Sequence, residues 1–88
     1  MLECTMLIKN QLGMHARAAA RFVQVTNKYA STVKVSRDGE EVDGKSIMGL
    51  LTLAAEYGST IRIIVEGKDE SEALRDIREL LDKRFHEE

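Results

Sequence analysis

His15 and Arg17 stand two residues apart in the segment Leu12-Gly13-Met14-His15-Ala16-Arg17-Ala18-Ala19-Ala20. Neutral imidazole is a nucleophile near neutral pH, its unperturbed pKa being about 6.5, so histidine suits the transient carriage of a transferable group. The residues after His15 are rich in alanine, which places His15 where a loop becomes a helix. The first turn of a helix leaves backbone N–H groups without intrahelical partners, at the positive end of the helix dipole. A phosphoryl group on a His15 ring nitrogen would meet the amides of Ala16, Arg17 and Ala18. The planar Arg17 guanidinium can reach the same anion. Gly13 permits a tight path into the helix. The small side chains of Ala16, Ala18 and Ala19 leave room for a second protein. Taken alone, His-x-Arg is a weak motif, more simply read as a capping histidine beside a solvated cation.

A second segment, Gly44-Lys45-Ser46-Ile47-Met48-Gly49-Leu50-Leu51-Thr52-Leu53, changes that balance. Ser46 stands just before an apolar helical run, at the N-cap position. A hydroxyl there is also a candidate regulatory phosphosite, since a phosphate at a helix start need not disturb the fold. Met48 and Leu51 are candidates either for the core or for a surface that meets a partner.

The elements that must position these residues follow from periodicity. Alternation over residues 2–8 predicts a first strand, with Leu2, Cys4, Met6 and Ile8 on one side. Helical spacing over residues 16–28 puts Ala16, Ala19, Ala20, Val23 and Asn27 on one face, widened by Phe22 and Thr26. Residues 32–37 alternate again, and Asp38-Gly39 is a two-residue hairpin signal leading to a return strand over 40–43. A helix is expected over 47–55, with Ile47, Leu50, Leu51 and Ala54 on its apolar face and Gly58 as its stop. Residues 60–66 read as a strand with Ile61, Ile63 and Val65 inward. Asp69 and Glu72 resemble a variant capping box for a last helix marked by Ala73, Leu74, Ile77, Leu80, Leu81 and Arg84. The order β-α-β-β-α-β-α implies an α+β domain of two layers, with four strands and the helices on one face of the sheet.

The chain of 88 residues has the length of one domain, taken here as residues 1–88. Its 13 basic and 15 acidic residues, net charge -2, carry no nucleic-acid signature. Cys4 is the only cysteine, so neither an intrachain disulfide nor a cysteine zinc cage can form. Cys4 is expected to be buried in its strand. His86 stands among acidic residues with no ligand spacing to His15, so no metal site is expected. No second base and no phosphate-cradling glycine loop suggests an independent enzyme. No apolar run approaches spanning length and no secretory leader pattern is present, so a cytoplasmic protein without membrane insertion is expected.

With both segments in hand, the chain resembles the HPr family, the histidine phosphocarriers of the bacterial phosphoenolpyruvate-dependent phosphotransferase system. The resemblance runs through essentially the whole chain and is most specific at LGMHARAAARFVQ (residues 12–24) and GKSIMGLLTLAA (residues 44–55). It implies an open-faced β-sandwich, a four-stranded antiparallel sheet with three helices. It implies that His15 matches the phosphorylated histidine, modified on the nitrogen nearer the backbone, and that Arg17 matches the arginine that assists transfer. Ser46 matches the serine modified by a kinase/phosphorylase in many members. Enzyme I would be the donor and an enzyme IIA-type protein the acceptor, docking on Ala16, Arg17, Ala20, Ile47, Met48 and Leu51. No cofactor is implied, and a monomer with one free face is expected. One position departs from the pattern: Ala18 stands where the family usually has proline. Alanine restores a backbone N–H in the first turn and loosens the backbone. The departure leaves the subtype open between a sugar-transport carrier and a nitrogen-related or transcription-factor-binding regulatory module.

Overall fold

The structure, a computed structural model, describes residues 1–87. Its elements are β1 (Leu2–Leu7), α1 (Ala16–Thr26), β2 (Thr32–Arg37), β3 (Glu40–Asp43), α2 (Ile47–Thr52), β4 (Thr60–Glu66), α3 (Glu70–Asp82) and a 3-10 turn over Arg84–His86. The strands form one sheet in the order β1-β4-β2-β3, with every neighbouring pair antiparallel. The expected α+β order is therefore the observed one. β1 and β2 both pair with β4, so they run in the same direction and need a crossover, which α1 supplies. β3 and β4 both pair with β2, and α2 makes their crossover. Val33, Val35, Ile61, Ile63 and Val65 are buried beneath the helices, while alternate residues such as Thr32, Lys34, Thr60 and Arg62 stand exposed on the open face. The β2–β3 hairpin turns at Asp38 (φ 53°) and Gly39 (φ 87°), two left-handed residues that match the twist of the strands.

Several local readings shift. β1 ends at Leu7, and Cys4 and Met6 are only half-buried, because β1 is an edge strand covered from one side. Burial still pushes the Cys4 thiol up, against the charge of Arg78, which disfavours the reactive thiolate. The buried face of α1 is Ala18, Ala19, Phe22, Val23 and Thr26, rotated from the expected stripe: Ala16 and Asn27 are exposed and Ala20 is half-buried. The Phe22 ring, fully buried, sets that rotation. Ala18 and Ala19 therefore pack into the core and do not make room for a partner.

α2 stops at Thr52, well before Gly58, because Ala54 turns left-handed at φ 51°. The Arg37 guanidinium closes that end by donating to the carbonyls of Leu53 (3.2 Å) and Ala54 (2.6 Å). The inward residues of this stretch are Leu50, Leu53 and Ala55, while Ile47 and Ala54 are exposed. The expected capping box at α3 does not form. The Asp69 carboxylate accepts from the backbone N–H of Ala30 (2.8 Å) and Ser31 (3.0 Å) and from the Ser31 hydroxyl, tying α3 to the entry of β2. Those bonds, the Ser31 hydroxyl foremost, hold its carboxyl below the usual aspartate range. Arg84 does not extend the α3 stripe. It opens the 3-10 turn, whose Phe85 is fully buried, a core residue the helical pattern did not anticipate.

Candidate functional site

His15 is the N-cap of α1, with extended backbone (φ -83°, ψ -179°), and its carbonyl accepts the first helical bond from Ala19 (2.8 Å). The loop before it is fixed from three directions. Met14 N–H donates to the Ala55 carbonyl (2.8 Å), His15 N–H to the Gly13 carbonyl (2.9 Å), and Asn10 Nδ2 to that same Gly13 oxygen (2.7 Å). Gly13 is left-handed at φ 70°, and its backbone lies against the Ala55–Glu56 peptide. The start of α1 is thus pinned to the chain that leaves α2.

The imidazole is oriented at both nitrogens. Arg17 N–H donates to Nδ1 at 3.2 Å. A nitrogen that accepts an N–H holds a lone pair, so Nδ1 is unprotonated and Nε2 carries the proton of the neutral ring. Nε2 in turn meets the Glu87 carboxylate, whose other oxygen accepts from Asn10 Nδ2 at 3.1 Å. Burial pushes the Glu87 carboxyl up, but the hydrogen bonds from His15 and Asn10 and the charge of Arg21 outweigh it. The net effect holds the group below the usual glutamate range, so it stands as a carboxylate. The first turn of α1 holds no acidic residue, whereas that of α3 carries Glu70 and Glu72. The positive end of α1 is therefore not neutralised by its own side chains.

Ala16 and Arg17 are exposed beside His15, and the Arg17 side chain makes no ion pair among the described residues. The backbone amides of Ala16, Arg17 and Ala18 are the first-turn donors, and that of Arg17 already addresses Nδ1. α2 packs against α1, and its outer side presents Ile47 (40% exposed) and Met48 (73% exposed), with Leu51 half-buried against the core. Ser46 is the N-cap of α2, its Oγ accepting from Gly49 N–H at 3.0 Å. It is not brought to His15. Thr26, at the far end of α1, donates to Gly44 (2.9 Å), so Ser46 and His15 lie at opposite ends of α1. At 1.5 Å per residue, the eleven residues of α1 span about 16 Å.

Glu87, Asn10 and Arg21 complete this site and were not singled out by the sequence. Glu87 is separated from His15 by 72 positions. Its only local signal, an acidic residue beside His86, points nowhere in particular. Among the described residues, no group of three or more His, Cys, Asp or Glu is placed to hold a metal ion. No helix among them is long and apolar enough to cross a membrane.

Residues 2–83 match the family described as "PTS HPr component phosphorylation site". The chain is 44% identical over 88 residues to the phosphocarrier protein HPr of Xylella fastidiosa, covering 100% of this chain and 99% of that protein. It is 48% identical over 87 residues to the phosphocarrier protein HPr of Pseudomonas aeruginosa, covering 98% of this chain and 94% of that protein. The crystal structure of HPr-C-His from Thermoanaerobacter tengcongensis is similar to it with a TM-score of 0.96 and 42% identity, covering 100% of this chain and 99% of that one. Matched along nearly its whole length in sequence and in fold, the chain belongs to the HPr family of phosphocarriers of the phosphotransferase system.

Proposed function

We propose that this chain accepts a phosphoryl group on Nδ1 of His15 from enzyme I and passes it to an enzyme IIA-type acceptor, without independent turnover. The observation that carries this reading is the Nδ1 lone pair held at the N-terminus of α1 by the Arg17 amide. The lone pair attacks phosphorus, and the bond from phosphorus to the donor breaks, the donor keeping the electron pair. The phosphoryl oxygens then replace Nδ1 as acceptors for the amides of Ala16, Arg17 and Ala18, with the Arg17 guanidinium above them. The ring keeps its Nε2 proton and holds a positive charge. Attack by the acceptor breaks the Nδ1–P bond and returns the pair to Nδ1. Neither direction requires a proton to move or a cofactor to assist. Ala16, Arg17, Ala20, Ile47, Met48 and Leu51 form the docking surface of a monomer working in the cytoplasm.

Incubation with phosphoenolpyruvate and enzyme I is expected to give an acid-labile, alkali-stable phosphate, with 31P–15N coupling to Nδ1. An acid-stable phosphate, as on serine, would overturn the assignment.

Ser46 is read as a regulatory site for an HPr kinase/phosphorylase, since phosphorylation there adds about -1.5 to -2 charges to the surface that carries Met48. Ser46→Asp keeps an oxygen to cap Gly49 and adds charge, and it is expected to slow transfer from enzyme I about tenfold, the effect of about 1.4 kcal/mol of repulsion. Ser46→Ala loses the cap, about 1 kcal/mol of stability, yet transfers normally. Equal transfer rates in parent and Ser46→Asp would end the regulatory reading.

A further inference from the structure

The turn that follows α3 is unusual in its backbone. Arg84, Phe85 and His86 are three consecutive left-handed residues, at φ 54°, 56° and 58°, and none is glycine. Such a run persists only where its surroundings over-determine it, and such strained segments cluster at functional sites. Here three ties hold it. The Phe85 side chain is fully buried in the core. The Phe85 carbonyl accepts from the Arg21 guanidinium on α1. The backbone closes on itself through His86 N–H to Lys83 (3.0 Å) and Glu87 N–H to Arg84 (3.1 Å). The outcome of this construction is the placement of one side chain: the Glu87 carboxylate, 11% exposed, spans Asn10 Nδ2 and His15 Nε2. Asn10 also fixes the Gly13 carbonyl, so one amide links the loop before His15 to the carboxylate behind it.

We propose that Glu87 is a positioning residue that decides which nitrogen of His15 is phosphorylated: it accepts the Nε2–H bond, covers that nitrogen, and leaves Nδ1 as the sole nucleophile. This rests on the reading of His15 as the phosphoryl acceptor. A carboxylate bound to one ring N–H fixes the tautomer and directs electron density to the other nitrogen, as it does for metal-bound histidines. It also faces the positive charge that the ring holds once Nδ1 is bonded to phosphorus, and so favours the N-phosphoryl state without touching the phosphate. Residues 2–83 carry the family match, and Glu87 lies outside them.

The test uses phosphoramidate, a small donor that needs no docking surface. A ring nitrogen attacks its phosphorus, the P–N bond breaks, and ammonia leaves with the electron pair. The parent chain is expected to be phosphorylated on Nδ1 of His15 alone, read by 31P–15N NMR. Glu87→Ala is expected to give a mixture of Nδ1 and Nε2 adducts and an initial Nδ1 rate lower by about tenfold, the scale on which loss of such a ring partner acts. It is also expected to lose the downfield Nε2–H resonance. Glu87→Gln, whose amide oxygen can still accept from Nε2–H, is expected to restore Nδ1 selectivity at an intermediate rate. Far-UV circular dichroism and melting confirm that each variant is folded. If the parent takes phosphate on Nδ1 and Glu87→Ala does so with the same selectivity, rate and ring signals, the positioning role is overturned while the carrier reading stands. If the parent takes no phosphate on His15, it is the carrier reading that fails.

Discussion

Replacing His15 is expected to abolish phosphoryl uptake from enzyme I, with a loss of at least ~1,000-fold, because removing a nucleophile removes the covalent step itself. Alanine alone would leave the cause ambiguous. His15 also caps α1 through Nδ1, and loss of a cap costs about 0.5–2 kcal/mol, enough to fray the start of that helix. His15→Asn separates the two effects. Its side-chain oxygen is a favoured N-cap acceptor and can take over the Arg17 N–H, so the helix start is preserved. The amide has no nucleophilic nitrogen lone pair to offer. Both variants are expected to be inert in transfer, with Asn melting close to the parent and Ala several degrees lower. Phosphate appearing on His15→Asn, on His86 for instance, would show that the acceptor is elsewhere.

Gly13→Ala is expected to damage stability and transfer together. An L side chain at φ 70° costs about 1–2 kcal/mol. A Cβ at Gly13 would also stand 2.6 Å from the Ala55 carbonyl oxygen and 2.9 Å from Glu56 Cα. These are backbone atoms that cannot rotate away, so the loop must shift, at about 1–3 kcal/mol more. The total of about 2–5 kcal/mol is a large part of the stability of a small domain. The shift falls on the residues that aim His15, and a misplacement near 1 Å can cost about 100-fold in a positioned reaction. Gly39→Ala is the control. Its φ is 87°, but a Cβ there meets no atom within 4 Å, and the hairpin is not part of the His15 site. It is expected to lose about 1–2 kcal/mol and to transfer normally. Thermal melting and initial phosphorylation rates read both outcomes. Equal behaviour of the two glycine variants would contradict the steric account of the site.

Much of the molecule follows from short-range pattern. The strands over 32–37 and 60–66 were legible because one buried face enforces alternation, and the Asp38-Gly39 turn with its return strand over 40–43 because few residues accept two left-handed positions. His15 at a helix start was legible because capping is decided within a turn. Two motifs at family spacing then fixed the class of chemistry. The phase of α1 was not legible, since a run of alanines presents almost the same surface in every direction. The fully buried Phe22 decided it by packing into the core. The end of α2 was not legible either, because Arg37, sixteen and seventeen positions away, closes it. Nor was the role of Asp69, whose spacing to Glu72 suggested a capping box but whose carboxylate instead bonds Ala30 and Ser31 across the fold.

Sequence by itself therefore determined the strands, the hairpin and the place of His15 at a helix start. Tertiary structure alone decided how the His15 ring is held, with Nε2 against a carboxylate and Nδ1 accepting the Arg17 N–H. That depends on Glu87 reaching His15 across 72 positions, a contact that exists only after Phe85 is buried and the turn beyond α3 is closed.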